Sequence, residues 1–343
     1  MPGGDGAVAG GAGNRLRDHR PPAALLRALR RLSRGWSVST RARRLKPAAA
    51  LLLAAAIALA GCGRVGGGGG GGQVQVVAAE NFWGSIARQL GGNRAHVTSL
   101  VSSPAADPHD YEPTAADGRA MAGAQLAIVN GAGYDPWASK LLAANGSGGR
   151  VVINVGDLVG VHAGGNPHRW YSPEDVERVI GRITAAYRRL DRRHAAYYAA
   201  QRRRYESTGL LTYHRLIGEI RRSYSRVSVG ASESIFAPLA QALGLRLVTP
   251  SGFLDAISEG TDPTAADKRT VDRQIATRAI SVWVYNRQNA TPDVQRLTSA
   301  ARRNGIEIVT VTETLVPTGA TFQAWQVRQL EALRRALARA TGR

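Results

Sequence analysis

The sequence predicts an α/β protein of two (β/α) lobes, each built on a mostly parallel sheet, with a long helix joining them. Apolar runs of strand length alternate with helical stretches over residues 73–155. A long helical pattern then follows, and the alternation of strands and helices resumes towards the C-terminus.

The N-terminal lobe begins with a predicted strand at residues 73–79, followed by a helix at 82–90 whose apolar residues recur at helical spacing. The β-branched or apolar runs that follow predict strands at 95–101, 125–130 and 151–155. Ser172 and Pro173 indicate a helix start, since serine caps a first turn and proline suits the first helical position. The pattern stays helical to about residue 222, with one break near Asp191.

The C-terminal lobe repeats this organisation without repeating the sequence. Strands are predicted at 227–230, 245–248, 280–285 and 306–311, and a final helix at 322–340. In open α/β sheets, ligands bind in the crevice beyond the carboxyl ends of the strands. Functional residues are therefore expected in the loops that follow the strands.

Residues 1–62 have the pattern of a lipoprotein signal peptide. Basic residues between 41 and 46 precede an apolar run at 47–60, which is shorter than the roughly 20 residues of a membrane span. The run ends in LAGC, which matches the bacterial lipobox, and its Cys62 is the only cysteine of the chain. We expect Cys62 to be acylated and the glycine-rich residues 63–72 to act as a flexible tether. The protein would then be secreted and lipid-anchored at the extracytoplasmic face of the cell membrane.

The chain is basic, but its charge does not indicate nucleic-acid binding. Outside the predicted leader there are 34 of the 45 basic residues and 23 of the 25 acidic ones, a net charge of +11. Many of these arginines fall between residues 178 and 226, where a solvated helix face explains them. We expect an exported monomer that binds no nucleic acid.

Four residues in predicted loops form a candidate metal site: His109, His168, Glu233 and Glu313. Each follows a predicted strand, and each lobe supplies two of them. Two imidazoles and two carboxylates suit a divalent first-row metal, because they combine neutral nitrogen donors with negative charge. Composition and periodicity alone do not select these four from the seven histidines and 25 acidic residues. His162 competes with His168, and a glutamate after a strand is often only a helix-start carboxylate.

Four motifs carry a family resemblance: DPHDYEP at 107–113, NPHRW at 166–170, SE at 232–233 and VTET at 311–314. They resemble the zinc and manganese solute-binding lipoproteins of bacterial ABC metal importers. The resemblance implies lobes at 73–193 and 223–343 that are joined by a rigid backbone helix at 194–222. It also implies a metal in the cleft between the lobes, bound by His109, His168, Glu233 and Glu313. Glu313 replaces the aspartate that is usual in this family, and its longer side chain requires a backbone set further from the metal. The implied partners are an importer permease and, through acylated Cys62, membrane lipid.

The transported ion is predicted only as zinc or manganese. Carboxylate-rich sites favour manganese, yet zinc binds more tightly to almost any nitrogen and oxygen site. The resemblance implies a binding protein and not an enzyme. A surface adhesin of the same family is the alternative, and a secreted zinc hydrolase is a weaker one, because the sequence has no His-Glu-x-x-His helix.

Overall fold

The computed structural model describes residues 72–106 and 108–343; the predicted leader, Cys62 and the tether up to residue 71 lie outside this part of the chain. The described residues form two four-stranded sheets with strand orders β2-β1-β3-β4 and β6-β5-β7-β8. Every paired strand is parallel to its neighbour. The predicted two-lobed α/β fold is confirmed.

The first sheet and its helices occupy the N-terminal lobe. The strands are β1 (Val74–Glu80), β2 (Ala95–Val101), β3 (Leu126–Val129) and β4 (Val151–Asn154). The helices are α1 (Asn81–Gly91), α2 (Ala115–Gly123), α3 (Pro136–Ala144) and α4 (Val155–Val159). Each strand begins and ends within two residues of its predicted bounds, because the buried apolar runs that define it are local features of the sequence.

The connection that follows the first sheet contains three helices, α5 (Pro173–Leu190), α6 (Ala195–Arg204) and α7 (Leu211–Tyr224). The Ser172 side chain caps α5, and the helix ends at Asp191, where the sequence indicates a break. The structure divides the predicted linking helix by a π-helical turn at Tyr205–Gly209. The Tyr205 ring packs against Gly209, where an added Cβ would lie 2.9 Å from the ring. The wider turn therefore accommodates a buried tyrosine.

The second sheet is built like the first, from the C-terminal part of the chain. Its strands are β5 (Ser228–Ala231), β6 (Arg246–Leu247), β7 (Val282–Asn286) and β8 (Glu307–Val311). The helices of this lobe are α8 (Ala237–Ala242), α9 (Ser251–Ser258), α10 (Ala265–Ala276), α11 (Pro292–Arg303) and α12 (Phe322–Thr341).

The two lobes share part of one apolar core, which contains residues from both sheets. Helix α12 of the C-terminal lobe reaches the N-terminal lobe, where Phe322 N donates to Ser85 Oγ at 2.9 Å. Leu315 N likewise donates to Asn81 Oδ1 at 3.1 Å. Because these contacts and the shared core hold the lobes together, separating the lobes would expose apolar core. None of the helices among the described residues has both the length and the hydrophobicity needed to cross a membrane.

Candidate functional site

All four predicted site residues follow strands and lie at the carboxyl-end edges of the two sheets. His109 follows β2, His168 follows the β4–α4 unit, and Glu233 and Glu313 each come two residues after β5 and β8. His109 and Glu313 line one cleft of about 660 Å³, together with the loops at 258–260 and 287–289. The site therefore lies where the fold class predicts a ligand crevice.

His168 is the buried imidazole of the site, with 1% of its surface exposed. Its Nδ1 lies 3.0 Å from Asn166 Oδ1 and 3.4 Å from Ser234 Oγ of the other lobe. When Nδ1 carries the proton and donates a hydrogen bond to Asn166 Oδ1, Nε2 keeps the lone pair that can bind a metal. Burial lowers the pKa of His168 well below 6.5, and the charges of His109 and Arg169 lower it further. The ring is therefore neutral at physiological pH.

His109 connects the lobes at the cleft wall. Its side chain is 32% exposed, and its Nε2 lies 3.8 Å from Glu313 Oε2. Its ring makes an edge contact with Tyr134, with centroids 4.5 Å apart, and Tyr134 makes a longer edge contact with His168. One tyrosine thus packs against both histidines.

The two glutamates are almost fully buried, with Glu233 1% and Glu313 6% exposed. Asn286 Nδ2 donates to Glu233 Oε1 and to Glu313 Oε1, both at 2.7 Å. Glu313 Oε2 accepts from the Tyr134 hydroxyl at 2.9 Å, and Glu233 Oε2 accepts from Asn289 Nδ2 at 2.7 Å. These protein hydrogen bonds replace the hydrogen bonds to water that the two carboxylates lose on burial.

A second pair of buried acids lies near Tyr134. Burial raises the pKa of Glu80 well above 4.5, and the neighbouring charge of Asp135 raises it further. Burial also raises the pKa of Asp135 to about 6, although backbone N–H groups of Gly131 and Asn130 donate to this carboxylate. Burial raises the pKa of Tyr134 well above 10, as do the charges of Glu313 and Glu80. Tyr134 therefore stays protonated, and its hydroxyl donates a hydrogen bond to Glu313.

In the described part of the chain, no three His, Cys, Asp or Glu side chains are arranged so that they could hold a metal ion as they stand. Of the four predicted ligands, His109 and Glu313 line the cleft, whereas His168 and Glu233 are buried and do not line it. Polar atoms of His168, Glu233 and Glu313 are engaged with protein partners such as Asn166, Asn286 and Tyr134. Metal coordination by these four residues therefore requires side-chain movement from this arrangement.

Sequence reasoning missed the residues that hold the predicted ligands, chiefly Tyr134, Asn166 and Asn286. Asn286 ends β7, which lies between the strands that precede Glu233 and Glu313. Its position at a strand end was a usable signal, but an asparagine is not among the usual transition-metal ligands. His162, the competing histidine, is exposed in the loop before His168.

Comparison with known families decides the assignment. The model of the ZnuA family, described as the periplasmic component A of a zinc-uptake complex, matches residues 76–336. This chain belongs to the ZnuA family. The resemblance inferred from the four motifs is thereby confirmed, and with it the expectation of a binding protein instead of an enzyme.

Curated relatives bind different metals by name. The manganese-binding lipoprotein MntA of Halalkalibacterium halodurans is 25% identical over 38% of this chain and 45% of its own length. The iron-binding protein YfeA of Yersinia pestis is 30% identical over 36% of this chain and 42% of its own. The zinc uptake protein ZnuA of Bacillus subtilis is 23% identical over 52% and 60%. The chain thus matches about half the length of these relatives.

Solved structures share the fold. The Mn-bound periplasmic metal binding protein from Candidatus Liberibacter asiaticus aligns with a TM-score of 0.63 at 20% identity, covering 76% of this chain and 98% of that one. FpvC from P. aeruginosa, in complex with Ni²⁺, aligns with a TM-score of 0.64 at 19% identity and covers 78% and 98%. At this identity, the likeness supports the two-lobed fold alone.

Proposed function

We propose that this protein is an extracytoplasmic solute-binding protein that captures a divalent transition metal, zinc or manganese, and delivers it to the permease of an ABC importer. The observation that carries the proposal is the meeting of the lobes at the cleft, where His109 Nε2 lies 3.8 Å from Glu313 Oε2. His168 and Glu233 complete the proposed ligand set. Family membership supports the same role, as do relatives named for zinc, manganese and iron.

The chemistry of the four side chains suits capture. The low pKa of His168 keeps its imidazole neutral, so that no proton has to leave before a cation binds at neutral pH. Two glutamate carboxylates can supply negative charge that offsets the charge of a divalent cation, which makes transfer of the ion into a buried site feasible. Four protein ligands would leave no open position for an activated water, which favours carriage over hydrolysis.

We further propose lipid anchoring through Cys62 and action as a monomer. The lipobox sequence at 59–62 supports the anchor, and the relative MntA is named as a lipoprotein. Because the two lobes share core contacts, release to the permease would proceed by movement of the site loops more than by wide opening of the lobes.

The proposal is tested by metal titration of purified protein carrying His109→Ala or His168→Ala. Each substitution should weaken zinc and manganese binding about 100-fold or more, since a direct ligand contributes more than the 10–100-fold of a residue that only supports one. His162→Ala is the matched control, because His162 is exposed and precedes the site loop. Parent-like titrations of both alanine variants would refute the site, and hydrolysis of peptides by the same sample would favour the hydrolase alternative.

A further inference from the structure

The first described residues of the chain are held next to the start of α6. Gln73, which precedes β1, donates from its Nε2 to Asn93 O at 3.0 Å. The Tyr197 hydroxyl of α6 donates to Asn93 Oδ1 at 2.9 Å, and the Arg94 guanidinium lies 5.9 Å from the centre of the Tyr197 ring. The chain that follows Cys62 therefore enters the fold beside Arg94 and α6.

Four arginines lie at the connection between α5 and α6, close to this entry point. The last turn of α5 packs beside α1, where the Tyr187 hydroxyl donates to Ala87 O at 2.9 Å. Two of the arginines belong to this last turn and two follow it directly. All four are exposed, and we call them the basic turn: Arg188, Arg189, Arg192 and Arg193.

The basic turn is not neutralised by the acid next to it. Asp191 is the one carboxylate within residues 188–194, and it lies 2.8 Å from His194 Nδ1. Among the residues that the structure describes, no carboxylate forms an ion pair with Arg188, Arg189 or Arg192. The basic turn therefore presents positive charge to the solvent.

The cleft and the basic turn lie at opposite ends of α5. This helix begins five residues after His168, and its 18 residues span about 27 Å before the basic turn. The charged residues that line the cleft are Asp110, Glu259 and Glu313, with a single arginine, Arg287. An anionic surface would therefore attract the basic turn and repel the cleft.

We propose that the basic turn is a membrane-binding surface, which rests on anionic phospholipid headgroups and turns the cleft away from the bilayer. Guanidinium groups suit this partner, because their paired N–H groups match the oxygens of a phosphate. The eleven residue steps from Cys62 to Gln73 span at most about 40 Å, so an acylated Cys62 would keep the basic turn close to lipid. The inference goes beyond metal capture, and only its setting in the cell depends on the proposed anchor.

The test uses protein that begins at residue 72, so that neither the leader nor acylation contributes to binding. This part of the chain contains all the described strands and helices, and it aligns with 98% of a solved structure of the same fold, so it is a complete folding unit. It should bind phosphatidylglycerol vesicles in low salt and not phosphatidylcholine vesicles. About 1 M salt should release it, because charges are then screened beyond about 3 Å. Failure to bind phosphatidylglycerol vesicles in low salt would overturn the inference.

Charge variants locate the binding surface. One variant replaces three arginines of the basic turn: Arg188→Gln, Arg189→Gln and Arg192→Gln. It should bind phosphatidylglycerol vesicles about 100-fold more weakly than the parent, at about fivefold per charge. The matched control removes the same charge from exposed positions of the C-terminal lobe: Arg269→Gln, Arg302→Gln and Arg303→Gln. Its affinity should fall much less, and equal losses in the two variants would show that net charge alone matters and overturn the inference.

The orientation has a readout of its own. Protein that begins at residue 72 has no cysteine, so a single fluorescent label can be attached at Ala196→Cys beside the basic turn or at Ala105→Cys in the cleft lining, both exposed positions. A quencher on the lipid headgroups should quench the label at residue 196 more strongly, and equal or stronger quenching at residue 105 would overturn the orientation. Metal titration of the same protein separates the two proposals: absence of metal binding refutes the proposed function, whereas metal binding without vesicle binding refutes only the membrane-binding surface.

Discussion

Replacing Glu80 with glutamine should remove the loss of stability that ionisation of Glu80 causes in the apo protein as the pH rises. Glu80 is fully buried, and its burial beside Asp135 raises its pKa well above 4.5. The folded protein therefore holds a proton on Glu80 at pH values where the unfolded chain has lost it. Because the folded state binds more protons, the contribution of Glu80 to stability is present in full below about pH 4.5. This contribution is lost as the pH rises through the pKa that Glu80 has in the folded protein.

The magnitude follows from proton linkage. One such group changes the free energy of unfolding by up to about 1.4 kcal/mol per pH unit between its unfolded and folded pKa values. Glutamine keeps the shape of a protonated glutamate and does not titrate. The difference in stability between Glu80→Gln and parent should therefore grow in favour of the variant from about pH 5 upwards, by up to that amount per unit.

Urea unfolding of metal-free protein at pH 5, 6, 7 and 8, followed by tryptophan fluorescence, measures this difference. Subtracting the variant from the parent also removes the opposite contribution of His168, whose lowered pKa costs stability as the pH falls below about 6.5. Glu174→Gln is the control, because that carboxylate is exposed on α5. Parallel stability curves for parent and Glu80→Gln across the whole range would show that Glu80 is not held protonated in the fold.

Three further outcomes are expected. Asn166→Ala removes the hydrogen-bond partner of His168 Nδ1 and a 2.7 Å hydrogen bond to Ser234 O. Zinc affinity in titrations should therefore fall about 10–100-fold without loss of secondary structure. Unchanged affinity would mean that Asn166 is not needed to orient the His168 ring. Metal affinity should fall as the pH decreases from 7.5 to 5.0, because protons compete with the metal for the imidazole ligands. The lowered pKa of His168 shifts its share of this loss towards lower pH, and a flat competition curve would argue for oxygen ligands alone. Cys62→Ser should abolish lipid labelling and leave a precursor or a released protein; unchanged membrane association with an uncleaved leader would instead assign the anchor to residues 47–60.

Local sequence signals predicted most of the fold. Apolar runs located the strands, and the Ser172 cap and the break near Asp191 bounded α5 correctly. The π turn at Tyr205–Gly209 was missed because it depends on how the Tyr205 ring packs in the folded protein. The contacts of α12 with the N-terminal lobe were missed for the same reason, since Phe322 and Ser85 are 237 residues apart in sequence.

The sequence predicted the four candidate ligands of the site but not the residues that hydrogen-bond to them. Strand ends followed by His or Glu suggested the four residues, because parallel strands bring their carboxyl ends to one edge, but the family resemblance of their motifs selected them. Their role as metal ligands stays a prediction. The supporting residues Asn286 and Tyr134 could not be found from residue type, since an amide and a phenol become informative only when their partners are known. Their hydrogen bonds to Glu233 and Glu313 are products of the folded arrangement.

The most direct test of metal capture is anomalous diffraction from crystals of the purified protein grown with Zn²⁺ or Mn²⁺. The proposal predicts one strong peak in the cleft, about 2.0–2.2 Å from an imidazole nitrogen of His109, an imidazole nitrogen of His168 and carboxylate oxygens of Glu233 and Glu313. A peak bound elsewhere, or a cleft peak that lacks both histidines, would contradict the assignment of this site.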